Sequence, residues 1–491
     1  LSSLKKLAGQ TAIYGLSSIV GRFLNYLLVP LHTGVFSTDQ FGIITEMYAY
    51  VAFLVILLTY GMETAFFRFS TKENDNKEKV YSTIISSLVS STVLFIAMSV
   101  IFQHSVADWL RYPNNSEYVV WFAIIVGLDA LSSIPLARLR QENKAFRFAF
   151  VNLSNVFVNI ALNLFFIGYC LPMHQAGNSN FLIETFYNPE IGVGYVFIAN
   201  LVASVFKFLL LLPEMLKARY GFDKAILKEM LIYSMPLLIA GLAGIINETL
   251  DRIMLKRMLF DSLGEKDTMS IIGIYGANYK VSIIITLFIQ AFRYAAEPFF
   301  FAQAKEKDPH ILYARIMNYF VIVCSTIFLG VMLYIDILKY FIPNKAYWVG
   351  LNVIPILLLA NVFLGIYYNQ SVWYKLTDKT RYGALLAIFG ALITVTVNYL
   401  FIPEYNYIAS AWATLACYGS MMVASYFLGQ HFYPVPYNLP KIFGYIIAAV
   451  SFYFASTKIP DYGELVHFSL NSLLMLLFLA GIYIAERSKK V

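Results

Sequence analysis

Long apolar stretches alternate with short polar segments along the whole chain. A helix needs about 20 apolar residues to cross the hydrocarbon core of a bilayer. By that measure about fourteen spans are predicted: 11–34, 41–62, 80–102, 118–136, 148–171, 193–212, 232–250, 271–301, 313–335, 349–368, 382–402, 407–428, 440–455 and 465–484. The eighth is long and the thirteenth short. Helices are the expected form, because a helix satisfies its own backbone hydrogen bonds in lipid. Barrel strands would alternate polar and apolar residues, and these stretches do not. The first stretch follows Lys5 and Lys6, as a signal peptide would. It is too long for the apolar region of one and is read as a retained span.

The basic residues between the spans predict an orientation, since cytoplasmic loops carry an excess of Lys and Arg. With the N-terminus in the cytoplasm, one side holds Lys5 and Lys6, Lys77 and Lys79, Arg138 and Arg140, Lys224 and Lys228, Lys375 and Lys379, and Lys489 and Lys490. The loop 172–192, on the other side, has no basic residue. This bias predicts an even number of spans and both termini in the cytoplasm. The exception is the segment after the seventh span, with Arg252, Lys256, Arg257 and Lys266.

Composition agrees with a membrane protein. Of 491 residues, 59% are hydrophobic and 13% charged; a soluble domain carries about a quarter charged residues. The net charge of +7 lies mainly in short loops, not in the basic patch that nucleic-acid binding requires. Cys170, Cys324 and Cys417 sit in or beside apolar stretches without a CxxC partner, so they read as small hydrophobes. The six histidines show no paired spacing, and no metal site or other cofactor is expected.

An internal repeat is visible. Phe41-Gly42-Ile43 corresponds to Ile272-Gly273-Ile274, and Tyr48 to Tyr279. Farther on, Phe66-Phe67 leads to Lys72-Glu73-Asn74-Asp75, and Phe299-Phe300 leads to Lys305-Glu306-Lys307-Asp308, all at an offset near 231 to 233 residues. This predicts two six-helix lobes, 1–220 and 221–430, followed by two further helices in 431–491. Parallel repeats of this kind are a transporter architecture with the substrate path between the halves.

Polar groups inside the spans are the candidate chemistry, because an ionisable side chain in the bilayer needs a partner or a hydrated cavity. Arg22 and Asn25 lie in the first span. A guanidinium matches phosphate oxygens, though Arg22 could equally bond to another helix. Asn152, Asn155, Asn159 and Asn163 share one face of the fifth span. That stripe lines either a hydrated cavity suited to sugar hydroxyls or a helix–helix seam. Lys280 and Arg293 in the eighth span, which also carries Glu297, are further phosphate candidates. Glu248, Asp251, Arg252 and Lys256 form either an ion-pair ladder or a gate or coupling-ion site. Glu46 and Asp129 could carry protons, hold Na⁺ or neutralise neighbouring cations. Glu63 and Lys207, near span ends, are expected to reach toward the interface.

Several of these segments resemble the polysaccharide-transporter and O-antigen flippase family, within the multidrug/oligosaccharidyl-lipid/polysaccharide exporter superfamily. They are Lys5-Lys6-Leu7-Ala8-Gly9 into Tyr14-Gly15 and Arg22, Glu63-Thr64-Ala65-Phe66-Phe67-Arg68-Phe69, Arg138-Leu139-Arg140-Gln141-Glu142-Asn143-Lys144, and Asp251-Arg252 followed by Gly273-Ile274-Tyr275. The resemblance implies two six-helix lobes in a V and an alternating-access cycle. It also implies an undecaprenyl-diphosphate-linked oligosaccharide as substrate. Related lipid II flippases carry cavity-facing basic residues on the first, second and eighth helices. Arg22, Lys280 and Arg293 lie on matching helices, whereas the second span carries Glu46.

The reading is therefore an all-α polytopic flippase of a bacterial cytoplasmic membrane, serving surface polysaccharide synthesis. Its partners are the bilayer and the lipid-linked substrate, with room for contact with the polysaccharide polymerase machinery. Three rivals stand beside it, one of them a non-transporting scaffold, which would not require so many buried charges. A membrane enzyme of polysaccharide assembly would need a constellation of acid, base and nucleophile, and none is seen. A drug or metabolite exporter of the same superfamily would favour a more acidic cavity. No P-loop is present, so energy would come from an H⁺ or Na⁺ gradient or from downstream consumption of the product.

Overall fold

The computed structural model describes residues 15–72, 77–218, 221–303, 308–460 and 463–487. Lys5–Gly9, Tyr14, residues 73–76, residues 304–307 and the side chain of Glu297 lie outside that description. Among the described residues all regular structure is helical, in a multi-pass membrane protein. The spans are α1 (15–35), α2 (Thr38–Ser70), α3 (Lys77–Ile101), α4 (Ser116–Gln141), α5 (Ala145–Gln175), α6 (Gly194–Met215), α7 (Lys224–Leu263), α8 (Glu265–Gln303), α9 (Pro309–Leu333), α10 (Lys345–Leu376), α11 (381–405), α12 (407–432), α13 (Leu439–Ser456) and α14 (Glu464–Arg487).

Twelve described helices are long and apolar enough to cross a membrane on their own. One of them, the continuous helix Arg381–Phe432, contains two spans. Its 52 residues would run about 78 Å if straight, against a hydrocarbon core of about 30 Å. Asn406 breaks it with φ 45° and ψ −130°. The Ser410 hydroxyl then donates to Asn398 Oδ1 at 2.8 Å, where twelve residues of straight helix would separate the two by about 18 Å. The stretch is a hairpin of two spans, which brings the candidate spans among the described residues to thirteen; the first predicted span, 11–34, lies partly outside those residues.

Local sequence explains other boundaries. Ser37 and Gln40 form a capping box at the start of α2. Tyr60 and Gly61, both at positive φ, break α2 in its second half. In α5 the α-helix gives way to a π-helix over Leu164–Cys170, directly after the last residue of the Asn stripe.

Two compact units emerge from the contacts: Leu1–Lys256 with Glu265–Gly273, and Arg257–Gly264 with Ile274–Val491. In the first, Met62, Phe66, Tyr81, Ile84, Leu88 and Ile134 build a core from α2, α3 and α4, closed by Met230 of α7. In the second, α10 packs on the α11–α12 hairpin, where Trp373 donates to Ser425 at 3.3 Å. Many large apolar side chains remain outside, such as Phe157 and Leu392. A soluble surface would not tolerate that many; a lipid-facing one requires them.

Two segments that the sequence pairs as a repeat meet inside the first unit. A Cβ on Gly42 would collide with the Met269 carbonyl, and one on Gly273 would collide with the Thr38 carbonyl. Gly42 and Gly273 are repeat mates, and Thr38 and Met269 stand at the same offset. Each glycine therefore meets the repeat mate of the residue that meets the other. Such a reciprocal contact is what a two-fold relation produces. Only glycine lets the two backbones approach this closely.

The segment Arg138–Lys144, the last turn of α4 and the residues that follow it, is a clasp for helix ends of the first unit. Arg138 bonds Glu78 at 2.7 Å and Glu142 at 2.6 Å, and its guanidinium lies 4.4 Å over the Tyr81 ring. Arg140 pairs with Glu63, and Gln141 donates to Ser70 at 2.6 Å. Nearby, Lys79 lies 2.6 Å from Asp223 and holds that carboxyl below its usual range. Glu63 thus pairs with a neighbouring helix end instead of simply reaching for the interface. Lys207 also finds a partner within the protein: its ammonium sits 2.5 Å from Asp129 Oδ1 of α4.

Candidate functional site

Three groups of polar side chains occupy the spans of the first unit. The first joins α1 to α5. Asn159 Nδ2 donates to Asn25 Oδ1 at 3.2 Å, Asn163 Nδ2 donates to Asn159 Oδ1 at 3.1 Å, and His32 Nε2 lies 2.7 Å from Asn163 Oδ1. This chain of amides is the helix–helix seam for that half of the stripe, and its groups hold α1 against α5. The other half differs. Asn152 bonds only the carbonyl of Phe148 on its own helix, at 3.2 Å. Asn155 is half-buried, and its Nδ2 has no hydrogen-bond partner among the described residues. Arg22 lies on α1 with its side chain exposed. A guanidinium exposed on a spanning helix has to meet water or an anion, not hydrocarbon.

The second group is buried and ionic. Glu46 of α2 is fully buried, and so, to 1%, is Lys256 of α7. Lys256 Nζ donates to Glu46 Oε2 at 2.8 Å and to the Leu110 carbonyl at 2.8 Å, and it lies 3.4 Å from the centre of the Tyr112 ring. The Tyr112 hydroxyl donates to the same carboxylate oxygen. Burial, then the adjoining Glu46 charge, push the Tyr112 phenol well above its usual value. Glu46 Oε1 has no hydrogen-bond partner among the described residues. One carboxylate oxygen therefore carries both bonds while the other is free to accept. Thr38, Gly42 and Glu46 are spaced by four, so one face of α2 carries the contact with α8 and the bond to α7.

The third group contains the remaining candidates for gating or ion coupling. Asp129 is neutralised by Lys207 and accepts a bond from Ser204 at 3.1 Å. Asp251 and Arg252 are buried and 2.7 Å apart, and Arg252 also donates to the Glu248 carbonyl. The Glu248 side chain is exposed.

In the second unit, Arg293 of α8 stacks over Tyr368 of α10, with its guanidinium carbon 4.1 Å from the ring centre. Both Lys280 and Arg293 are half-buried. Thirteen residues separate them, about 20 Å along the axis and well over a quarter-turn around it. A single pyrophosphate cannot touch both at once.

The residues that sequence reasoning passed over are Tyr112 and the pairing of Lys256 with Glu46. They are 66 and 210 residues from Glu46, and no spacing rule links them. The one available signal was a lysine, Lys256, placed among cations on the side expected to be poor in them.

Comparison with known proteins adds the following. A family model described as polysaccharide biosynthesis protein matches residues 7–303. Lsg locus protein 1 of Haemophilus influenzae is 20% identical over 427 residues, covering 82% of this chain and 95% of that protein. Among solved structures, the lipid II flippase MurJ in an inward closed conformation superposes with a TM-score of 0.67 at 14% identity. It covers 96% of this chain and 99% of its own. An inward-facing multidrug resistance MATE family transporter of the MOP superfamily superposes with a TM-score of 0.63 at 13% identity, over 86% and 94% of the two chains. These likenesses are of fold.

Proposed function

Because this chain belongs to the polysaccharide biosynthesis protein family, whose model covers residues 7–303, we propose that it is a lipid-linked oligosaccharide flippase. The substrate is an undecaprenyl-diphosphate-linked repeat unit, moved from the cytoplasmic to the outer leaflet of a bacterial inner membrane by alternating access. The two repeat-related lobes carry that cycle, with both termini in the cytoplasm. The observation that carries the reading is an exposed guanidinium, Arg22, on α1, the helix that the apolar pattern reads as the first span. An anionic diphosphate is a fitting counterion for it. Arg293 and Lys280 serve as successive stations for the same phosphates, since their separation forbids simultaneous contact. Asn152 and Asn155, the half of the stripe not joined to α1, face the glycan.

Of the gating and coupling candidates, Glu46 is the one assigned that role here. Its bond to Lys256 fastens α7 to α2, and its second oxygen is open to a proton or Na⁺. Asp129, Asp251 and Arg252 are assigned to charge neutralisation within the spans.

Depletion of the protein in its own cells tests the function. Completed lipid-linked repeat units should accumulate on the cytoplasmic leaflet while surface polysaccharide is lost. Normal surface polysaccharide in a strain with no redundant transporter would instead point to export of a different solute, as in the multidrug branch that shares the fold.

A further inference from the structure

At one edge of the second unit, the last residue of α9, the segment 334–340 that follows it and the start of α14 line a cleft of about 720 Å³. This lies inside the ~300–1,000 Å³ range of small-molecule sites. Its lining is divided by chemistry. Asp336, Lys339, Glu464 and His467 supply charge and a titratable ring, while Ile337, Leu465 and Phe468 supply apolar surface. None of these residues takes part in the substrate reading above.

The polar half is built rather than incidental. Lys339 Nζ donates to Asp336 Oδ1 at 2.7 Å, and His467 Nε2 lies 4.0 Å from Asp336 Oδ2. The Asp336 side chain is nonetheless 63% exposed, so its carboxylate can take a further cation. Two bonds fix the walls: Asn471 donates to the Leu333 carbonyl at 2.7 Å, and the Tyr334 hydroxyl lies 3.0 Å from Ser472 Oγ. The apolar half opens outward, with Leu465 at 80% exposure. Tyr340 and Trp348 stand edge to face beside Lys339. Aromatic and basic residues at the end of a span mark the headgroup level of a bilayer.

We propose that this cleft binds a phospholipid with a zwitterionic, primary-amine headgroup. Its ammonium sits between Asp336 and Glu464, and its phosphate turns toward Lys339 and His467. The acyl chains run along Ile337, Leu465 and Phe468. Charge selects the class. Two carboxylates against one fixed ammonium repel a purely anionic headgroup, and Lys339 gives the phosphate of a zwitterionic one a cation to meet. A primary ammonium also donates hydrogen bonds to carboxylates, which a quaternary amine cannot do.

The test uses the full chain, purified and stripped of lipid in detergent. It is titrated with phosphatidylethanolamine or phosphatidylglycerol, and bound lipids are counted by native mass spectrometry. The wild type should retain phosphatidylethanolamine at several-fold lower concentration than phosphatidylglycerol. The double variant Asp336→Asn with Glu464→Gln should lose that preference, with its unfolding temperature unchanged because both side chains are exposed. Leu392→Ala, on the lipid-facing surface of α11, should keep it. Equal retention of the two lipids by the wild type, or a preference that survives the double variant, overturns the proposal.

Discussion

A lysine and a glutamate share a site that is closed to solvent in the first unit, and their removal has an asymmetric cost. Glu46→Gln leaves the Lys256 ammonium buried beside a neutral amide, and breaking a buried pair from one side costs roughly 3–5 kcal/mol. Replacing both, as Glu46→Leu with Lys256→Met, removes two desolvation penalties together and should recover most of that loss. Thermal unfolding in detergent reads the difference. A double variant as unstable as the single one would mean that the pair does not act as a unit. Tyr112→Phe should cost less, roughly 1–3 kcal/mol, since Lys256 still satisfies the carboxylate. At this scale the sequence was half legible. A carboxylate in the middle of an apolar stretch announces itself, which is why Glu46 stood out. Its partners do not, because contacts across 66 and 210 residues leave no trace in local spacing. The same limit applied to the Asn stripe. Periodicity showed that the four amides share a face, but not that Asn25 and His32 would meet two of them.

The helices show the opposite balance. Length and apolarity were enough to find the spans, including the two hidden in Arg381–Phe432, because Pro403 and the polar residues Glu404 and Asn406 interrupt the stretch. What the pattern could not show is how the helices touch. The motif around Gly42 and Gly273 was legible as a repeat, yet its physical reason is a backbone crossing. Gly42→Ala or Gly273→Ala forces a methyl into a carbonyl and should destabilise the fold by about 1–3 kcal/mol, the usual cost of overpacking. A stability equal to wild type would contradict the crossing. Thr38 and Ser270 have their hydroxyls in contact, so Thr38→Cys with Ser270→Cys should cross-link under mild oxidation. If α2 and the start of α8 part during transport, the cross-link stops transport and a reducing agent restores it. Transport unaffected by the cross-link would make the crossing a static joint. Asn406→Val should be costly, since a β-branched residue resists positive φ, whereas Asn406→Gly should be tolerated; the level in isolated membranes and the unfolding temperature distinguish the two. The segment Arg138–Lys144 was legible only as a family likeness. Its residues turn out to clasp helix ends, a role that depends on partners far along the chain.

For the molecule as a whole, sequence and structure agree on an all-helical, multi-pass membrane protein, and the family match extends over more than half of the chain. Composition made the membrane reading unavoidable, because a chain this poor in charge cannot keep a wet surface. The contact-based units divide within α7 and α8, whereas the repeat in the sequence places a boundary before α7. The difference has a physical source: the buried Lys256 and the glycine crossing tie parts of α7 and α8 to the first unit. In the proposed cycle Arg22 binds the diphosphate of a lipid-linked oligosaccharide during translocation. The direct measurement reconstitutes wild type and Arg22→Ala at equal density in liposomes carrying a labelled undecaprenyl-diphosphate oligosaccharide. A membrane-impermeant glycosidase then reports how much glycan has crossed. Translocation by the wild type is expected, with a loss of at least about tenfold in the variant, equivalent to roughly 1.4 kcal/mol. Equal rates for the two proteins, or no translocation by either, would contradict it.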